Sequence, residues 1–138
     1  VHLSEYELLE ALAEPYCPVC SLARKAARSY LAGVVEGGVN DPAVRDDWRR
    51  RGGLCPRHWR EARNLEAPAF PLAIVAEDIL RSELSGPRGN PDCPACQVER
   101  EAEERYLQTL QKLPLDRVRQ ALAGGRGFVC LRHRRRLP

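Results

Sequence analysis

The chain contains no methionine, only two phenylalanines, two tryptophans and four tyrosines, and only two lysines, Lys25 and Lys112, against 20 arginines. Aromatic poverty, with 30% of its 138 residues charged, leaves a modest apolar core. A chain of this length is one ordinary domain or two very small ones, and halves of about 70 residues commonly need a metal to reach stability. No run approaches the roughly 18–20 apolar residues of a membrane span, so no membrane role is expected. Residues 1–14 lack the cationic start and long apolar stretch of a signal peptide. The chain begins at Val1, so an initiator was removed or the chain is a fragment. These features favour a reducing cytoplasm, where paired cysteines serve as ligands rather than disulfides. The net charge of +3 is too mild to argue for nucleic acid by itself.

What is present is a repeat. Cys17 and Cys20 recur 76 positions on as Cys93 and Cys96; Cys55 and His58 recur 75 positions on as Cys130 and His133. Pro18 matches Pro94, Tyr30 matches Tyr106 and Leu31 matches Leu107, and a glycine-rich approach precedes the third cysteine in both copies. A duplication with a one-residue deletion accounts for this register.

The apolar spacing reads as helix almost throughout, with no convincing alternation of period two. Helices are expected over 4–13, with Ser4 and Glu7 as a capping box, over 18–36 up to Gly37-Gly38, and over 42–51 behind Asp41-Pro42. Another starts at Pro56, and a fifth covers 69–84 with Leu72, Val75, Ile79 and Leu80 facing inward. The run 86–91, rich in glycine and proline, breaks the chain. Helices at 94–112 and 115–123 and a stub at 131–137 complete the second copy. The expected fold is all-α, as two tandemly repeated helical units spanning 1–86 and 87–138.

Cys-x-x-Cys at a helix start, with proline behind the first cysteine, puts both sulfurs one turn apart on one face. Unpaired amides and the positive end of the helix dipole favour thiolate there. Cys-x-x-His repeats the device. In chain order the pairs combine as Cys17, Cys20, Cys55, His58 and as Cys93, Cys96, Cys130, His133, each a set of three sulfurs and one nitrogen suited to tetrahedral Zn2+. Two Zn2+ are therefore expected, with iron–sulfur clusters as the rival. A redox Cys-x-x-Cys lacks its βαβ setting, and c-type haem would need histidine where Ser21 and Gln97 stand. The remaining histidine, His2, is terminal and expected to be solvated. Trp48 and Trp59 flank the first Cys-x-x-His and are expected to shield it and pack between helices.

Arginines crowd the Cys-x-x-His pairs: Arg49, Arg50, Arg51, Arg57, Arg60 and Arg63 in one copy, Arg126, Arg132, Arg134, Arg135 and Arg136 in the other. They either balance a Zn2+ site bearing three thiolates, which is the favoured reading, or form a stripe for phosphate backbones. Acidic residues at 99, 101, 103 and 104 interrupt such a stripe. The run Gly124-Gly125-Arg126-Gly127 lacks the Lys-Ser/Thr of a phosphate loop and reads as a hinge.

In CPVC (17–20), GGLCPRH (52–58), CPAC (93–96) and FVCLRH (128–133) the chain resembles a group of uncharacterised bacterial proteins. These are small and helical, with a CPxC element and a later Gly-x-Cys-x-x-His element. The resemblance implies metal binding at the eight positions and brings no activity. Leu131 departs from it by replacing the proline after the third cysteine. With filled four-ligand sites and no catalytic constellation, the chain is not expected to be an enzyme. The expectation is a zinc-binding interaction protein with a protein partner; nucleic-acid binding and iron–sulfur redox chemistry are the alternatives.

Overall fold

The computed structural model describes residues 3–85 and 92–138. His2 and the break at 86–91, where the boundary between repeats was placed, lie outside the described residues. Among the described residues there are eight α-helices and no strand. They are α1 (Leu3–Leu12), α2 (Pro18–Glu36), α3 (Pro42–Arg51), α4 (Pro56–Arg63), α5 (Ala69–Ser85), α6 (Pro94–Lys112), α7 (Leu115–Ala123) and α8 (Leu131–Arg134), with a 3-10 turn at Gly38–Asn40. None is long and apolar enough to cross a membrane.

Local chemistry sets most of these limits. Asp41 caps α3 by accepting from the Ala43 amide at 2.9 Å, with Pro42 behind it. Gly52 ends α3 at φ 74°, and Gly53 follows at φ 81°; this left-handed stretch suits glycine and turns the chain into α4. Ser4 lies inside α1 rather than at its cap. Its expected partner Glu7 instead accepts a hydrogen bond from the Tyr106 hydroxyl at 2.7 Å, because a long-range donor reaches that carboxylate.

The chain divides into two compact units, and these are not the two repeats: one comprises 1–26 and 99–138, the other 27–98. The first has a core of Leu8, Val19, Leu22, Ala23, Ala102, Tyr106, Leu107 and Leu110. The second has a core of Leu31, Val34, Val35, Trp48, Leu54, Leu72, Val75 and Ile79. Thus α2 supplies its first turns to one core and its later turns to the other, and α6 does likewise. On α5 the stripe Leu72, Val75, Ile79 is buried, but Leu80, expected inward, is 65% exposed; one residue beyond Ile79 it has rotated about 100° off the buried face.

In the second unit Trp48 is buried and its indole N–H donates to the Tyr30 hydroxyl at 2.7 Å. Trp59 meets it edge-to-face at 6.1 Å between ring centres. Both tryptophans therefore pack between helices, as expected of them.

Candidate metal centres

All four ligand pairs use one local device. The carbonyls of Cys17, Cys55, Cys93 and Cys130 each accept the first i to i+4 hydrogen bond of the helix that follows, at 3.0, 2.9, 3.1 and 2.8 Å. Each of these cysteines therefore stands at the helix cap, and its companion three residues on lies over it, one turn in. Pro18, Pro56 and Pro94 occupy the first helical position, where a missing N–H costs nothing. Leu131 takes that place in α8, which is the shortest of the four at four residues.

The pairs do not combine in chain order. Cys17 and Cys20 meet Cys130 and His133, whereas Cys55 and His58 meet Cys93 and Cys96. Each set thus joins a Cys-x-x-Cys from one repeat to a Cys-x-x-His from the other, and the expected grouping within repeats is corrected. The reason lies in α2. Its first turns belong to one compact unit and its later turns to the other. Leu54, which leads into the Cys55 pair, packs with Leu31, Val34 and Val35 from the end of α2 rather than with its start.

In the first set Cys17 and Cys20 sulfurs each lie 3.4 Å from His133 Nδ1, Cys130 lies 3.2 Å from it, and the Cys20 and Cys130 sulfurs are 3.7 Å apart. In the second, Cys55, Cys93 and Cys96 lie 3.3, 3.5 and 3.4 Å from His58 Nδ1, and the Cys55 and Cys96 sulfurs are 3.8 Å apart. All six thiols are free. A tetrahedron with metal–sulfur bonds of about 2.3 Å and metal–nitrogen bonds of about 2.0 Å has sulfur–sulfur edges near 3.8 Å and sulfur–nitrogen edges near 3.5 Å. The side chains are thus spaced to hold a single metal ion.

Charge points the same way. Burial, and then the neighbouring Cys17, push the Cys20 thiol up to about 12; burial and Cys93 do the same to Cys96. Burial also opposes ionisation of Cys55, but the His58 and Arg57 amides and the other two thiols outweigh it and hold Cys55 below its usual range. Cys130 is lowered in the same way by the His133 and Arg132 amides with Cys17 and Cys20. A divalent cation among the sulfurs would favour the thiolate form that burial and neighbouring sulfur oppose at Cys20 and Cys96.

Glu103, which sequence reasoning treated only as an interruption of positive surface, is a neighbour of the first set. Its carboxylate accepts from His133 Nε2 at 2.5 Å and from Arg132 at 2.9 Å. This carboxylate–histidine contact leaves Nδ1 to face the sulfurs. No local motif marks Glu103, because it lies 30 positions from His133.

Several of the clustered arginines are engaged by carboxylates. Arg49 meets Asp78 at 3.2 Å and also Asp46, Arg50 and Arg51 meet Asp47 at 3.5 and 2.9 Å, and Arg57 meets Glu61 at 3.7 Å. Arg132 and Arg136 converge on Glu103, and Arg136 also meets Glu104. Arg60 donates instead to the Pro56 carbonyl of its own helix at 3.3 Å.

The glycines before the Cys130 pair serve a close approach. A Cβ on Gly127 would stand 1.7 Å from the Leu12 carbonyl oxygen, and one on Gly125 would stand 2.5 Å from that of Ala13. Only bare backbone fits against the end of α1 here.

The chain is 30% identical over 141 residues to a protein of Caldicellulosiruptor sp. (strain Rt8B.4) described as an uncharacterized 23.9 kDa protein in the xynA 3′ region. The match covers 91% of this chain and 67% of that protein. The chain belongs to that protein's family. No family model matches the chain, and no solved structure matches it. The relationship agrees with the resemblance to an uncharacterised bacterial group, and the relative's description carries no activity over.

Proposed function

We propose that this is a structural zinc protein, with one Zn2+ in each set of three cysteines and one histidine, that acts by binding a protein partner. The observation that carries the reading is the size of the two sets: the four ligand atoms of each lie within 4.8 Å of one another. That spacing suits one tetrahedral ion, and the three-sulfur, one-nitrogen donor set suits zinc. An iron–sulfur cluster distributes its ligands over more than one iron and needs them farther apart. With four protein ligands filling the tetrahedron, no position is left for a reacting water, so the metals stabilise the fold rather than catalyse.

The partner reading rests on what this leaves over. Many of the arginines beside the metal sets are occupied by carboxylates, which weakens the case for a phosphate-binding stripe. Metal content of the purified protein, determined by elemental analysis and by native mass spectrometry, tests the zinc assignment. Two zinc per chain is the expected result; iron accompanied by sulfide would overturn it. Cobalt substitution adds a second readout, since two tetrahedral thiolate-rich sites give intense visible absorption.

A further inference from the structure

The first unit carries an apolar groove of about 500 Å3 whose walls include Leu12, Leu110, Leu115, Val118, Phe128 and Leu137. Its walls are not sealed: Leu115 is 71% exposed and Phe128 54% exposed. Leu115, Val118 and Leu122 enter it from one face of α7. Arg134 also lines it, and neither Arg134 nor Arg135 makes an ion pair among the described residues, unlike Arg132 and Arg136.

Charge decides what such a groove would receive. The stretch 110–138, which supplies all its walls except Leu12, holds eight basic residues and a single acidic one, Asp116. A second groove, in the other unit, is lined by Trp59, Arg63, Leu72 and Ala76. There the stretch 59–76 balances Arg60 and Arg63 against Glu61 and Glu66, and of these only Arg63 lines the groove.

We propose that the groove of the first unit docks an acidic amphipathic helix of a partner protein, with apolar side chains seated among Leu115, Val118 and Phe128 and a carboxylate meeting Arg134. This deepens the partner-binding reading and rests on it. An apolar groove with Arg134 in its lining matches a helix face whose leucines recur every third or fourth residue and that carries carboxylates beside them. An anionic lipid surface would share the charge preference but calls for a protruding apolar wedge rather than a groove. Electrostatic complementarity at Arg134 would speed association and disfavour basic helices.

The test uses the zinc-loaded chain of 138 residues and three fluorescent probes: a helical peptide with one leucine face flanked by glutamates, the same peptide with lysines for glutamates, and phosphatidylglycerol vesicles. The acidic peptide should bind saturably and roughly tenfold or more tighter than the basic one, given the basic excess of the stretch 110–138. Phe128→Glu should abolish binding, and Arg134→Glu should shrink or reverse the charge preference, while both variants keep two zinc per chain. Equal binding of the two peptides, no peptide binding, or retention on vesicles in place of peptides each overturns the proposal.

A photo-crosslinking residue placed in cells at Phe128, and in parallel at Phe70, which is 77% exposed in the other unit, separates the two levels of failure. Protein crosslinks at 70 but not at 128 sink the groove and leave a partner elsewhere. Crosslinks at neither sink both.

Discussion

The Cys20 sulfur lies 3.7 Å from the Cys130 sulfur across 110 residues of chain, whereas Cys55, the next cysteine after it in sequence, lies 3.8 Å from Cys96. Each candidate metal centre therefore belongs to one compact unit and to both repeats. The consequences differ from those of a pairing in chain order, and they can be measured.

Cys20→Ser should loosen residues 1–26 and 99–138, and Cys96→Ser should loosen 27–98. Structural zinc contributes an apparent ~10–16 kcal/mol in small metal domains, so losing one ligand should cost at least about 3 kcal/mol in its own unit. Trp48 and Trp59, the only tryptophans, both lie in 27–98 and report on that unit alone. Cys20→Ser should leave their emission native, with zinc falling from two to one per chain, while Cys96→Ser should shift it to the red. The reverse pattern would restore the pairing in chain order.

Glu103→Gln replaces the carboxylate that faces His133 by a neutral amide. Affinity at that centre should fall about 10–100-fold, the usual cost of removing such a partner. The other centre, which Glu103 does not touch, should keep its affinity. A chelator competition titration should thus separate into two phases in the variant. A uniform decline of both phases would count against this contact.

Gly127→Ala and Gly124→Ala form a matched pair. At 127 the new Cβ meets the Leu12 carbonyl oxygen at 1.7 Å, and backbone cannot yield as a side-chain tip can; at 124 its nearest neighbour is the Gln120 carbonyl oxygen at 4.0 Å. Thermal unfolding should show a loss of about 2–3 kcal/mol or more for the first and little change for the second. Equal melting temperatures would mean that the loop 124–127 does not lie against α1.

Generic duplex and single-stranded nucleic acid should show no binding whose affinity falls steeply with salt. Arg49, Arg51 and Arg132 already face Asp78, Asp47 and Glu103, and releasing them would forfeit those pairs. Fluorescence anisotropy at low and moderate ionic strength checks this. A slope equivalent to several phosphate contacts would favour the nucleic-acid reading instead.

Much of the local structure was legible because its causes lie within a few residues. Asp41-Pro42 and Gly52 bound α3 as their chemistry requires, and the four cysteines at helix caps follow from the spacing of each ligand pair. Errors arose where a contact from elsewhere in the chain intervened, as with Glu7, held by Tyr106. Another arose at Leu80, where the apolar count admitted one residue too many and only packing decides which face is buried. Glu103 and the approach of Gly127 to Leu12 left no local signal at all.

The sequence by itself determined the helices, the eight candidate ligand side chains and the local geometry of each pair, since these depend on spacing within one or two turns. Which pair meets which was decided by tertiary structure alone. The two Cys-x-x-His pairs are chemically equivalent, so composition cannot rank them as partners for Cys20. Loop closure prefers the shorter span only weakly: closing 110 residues rather than 35 costs about 1 kcal/mol more. Burying residues such as Leu31, Trp48 and Leu54 outweighs that difference, at roughly 1.5–3 kcal/mol for each large apolar side chain. The later turns of α2 pack in the same unit as Cys55 and His58, and the start of α6 brings Cys93 and Cys96 to meet them there.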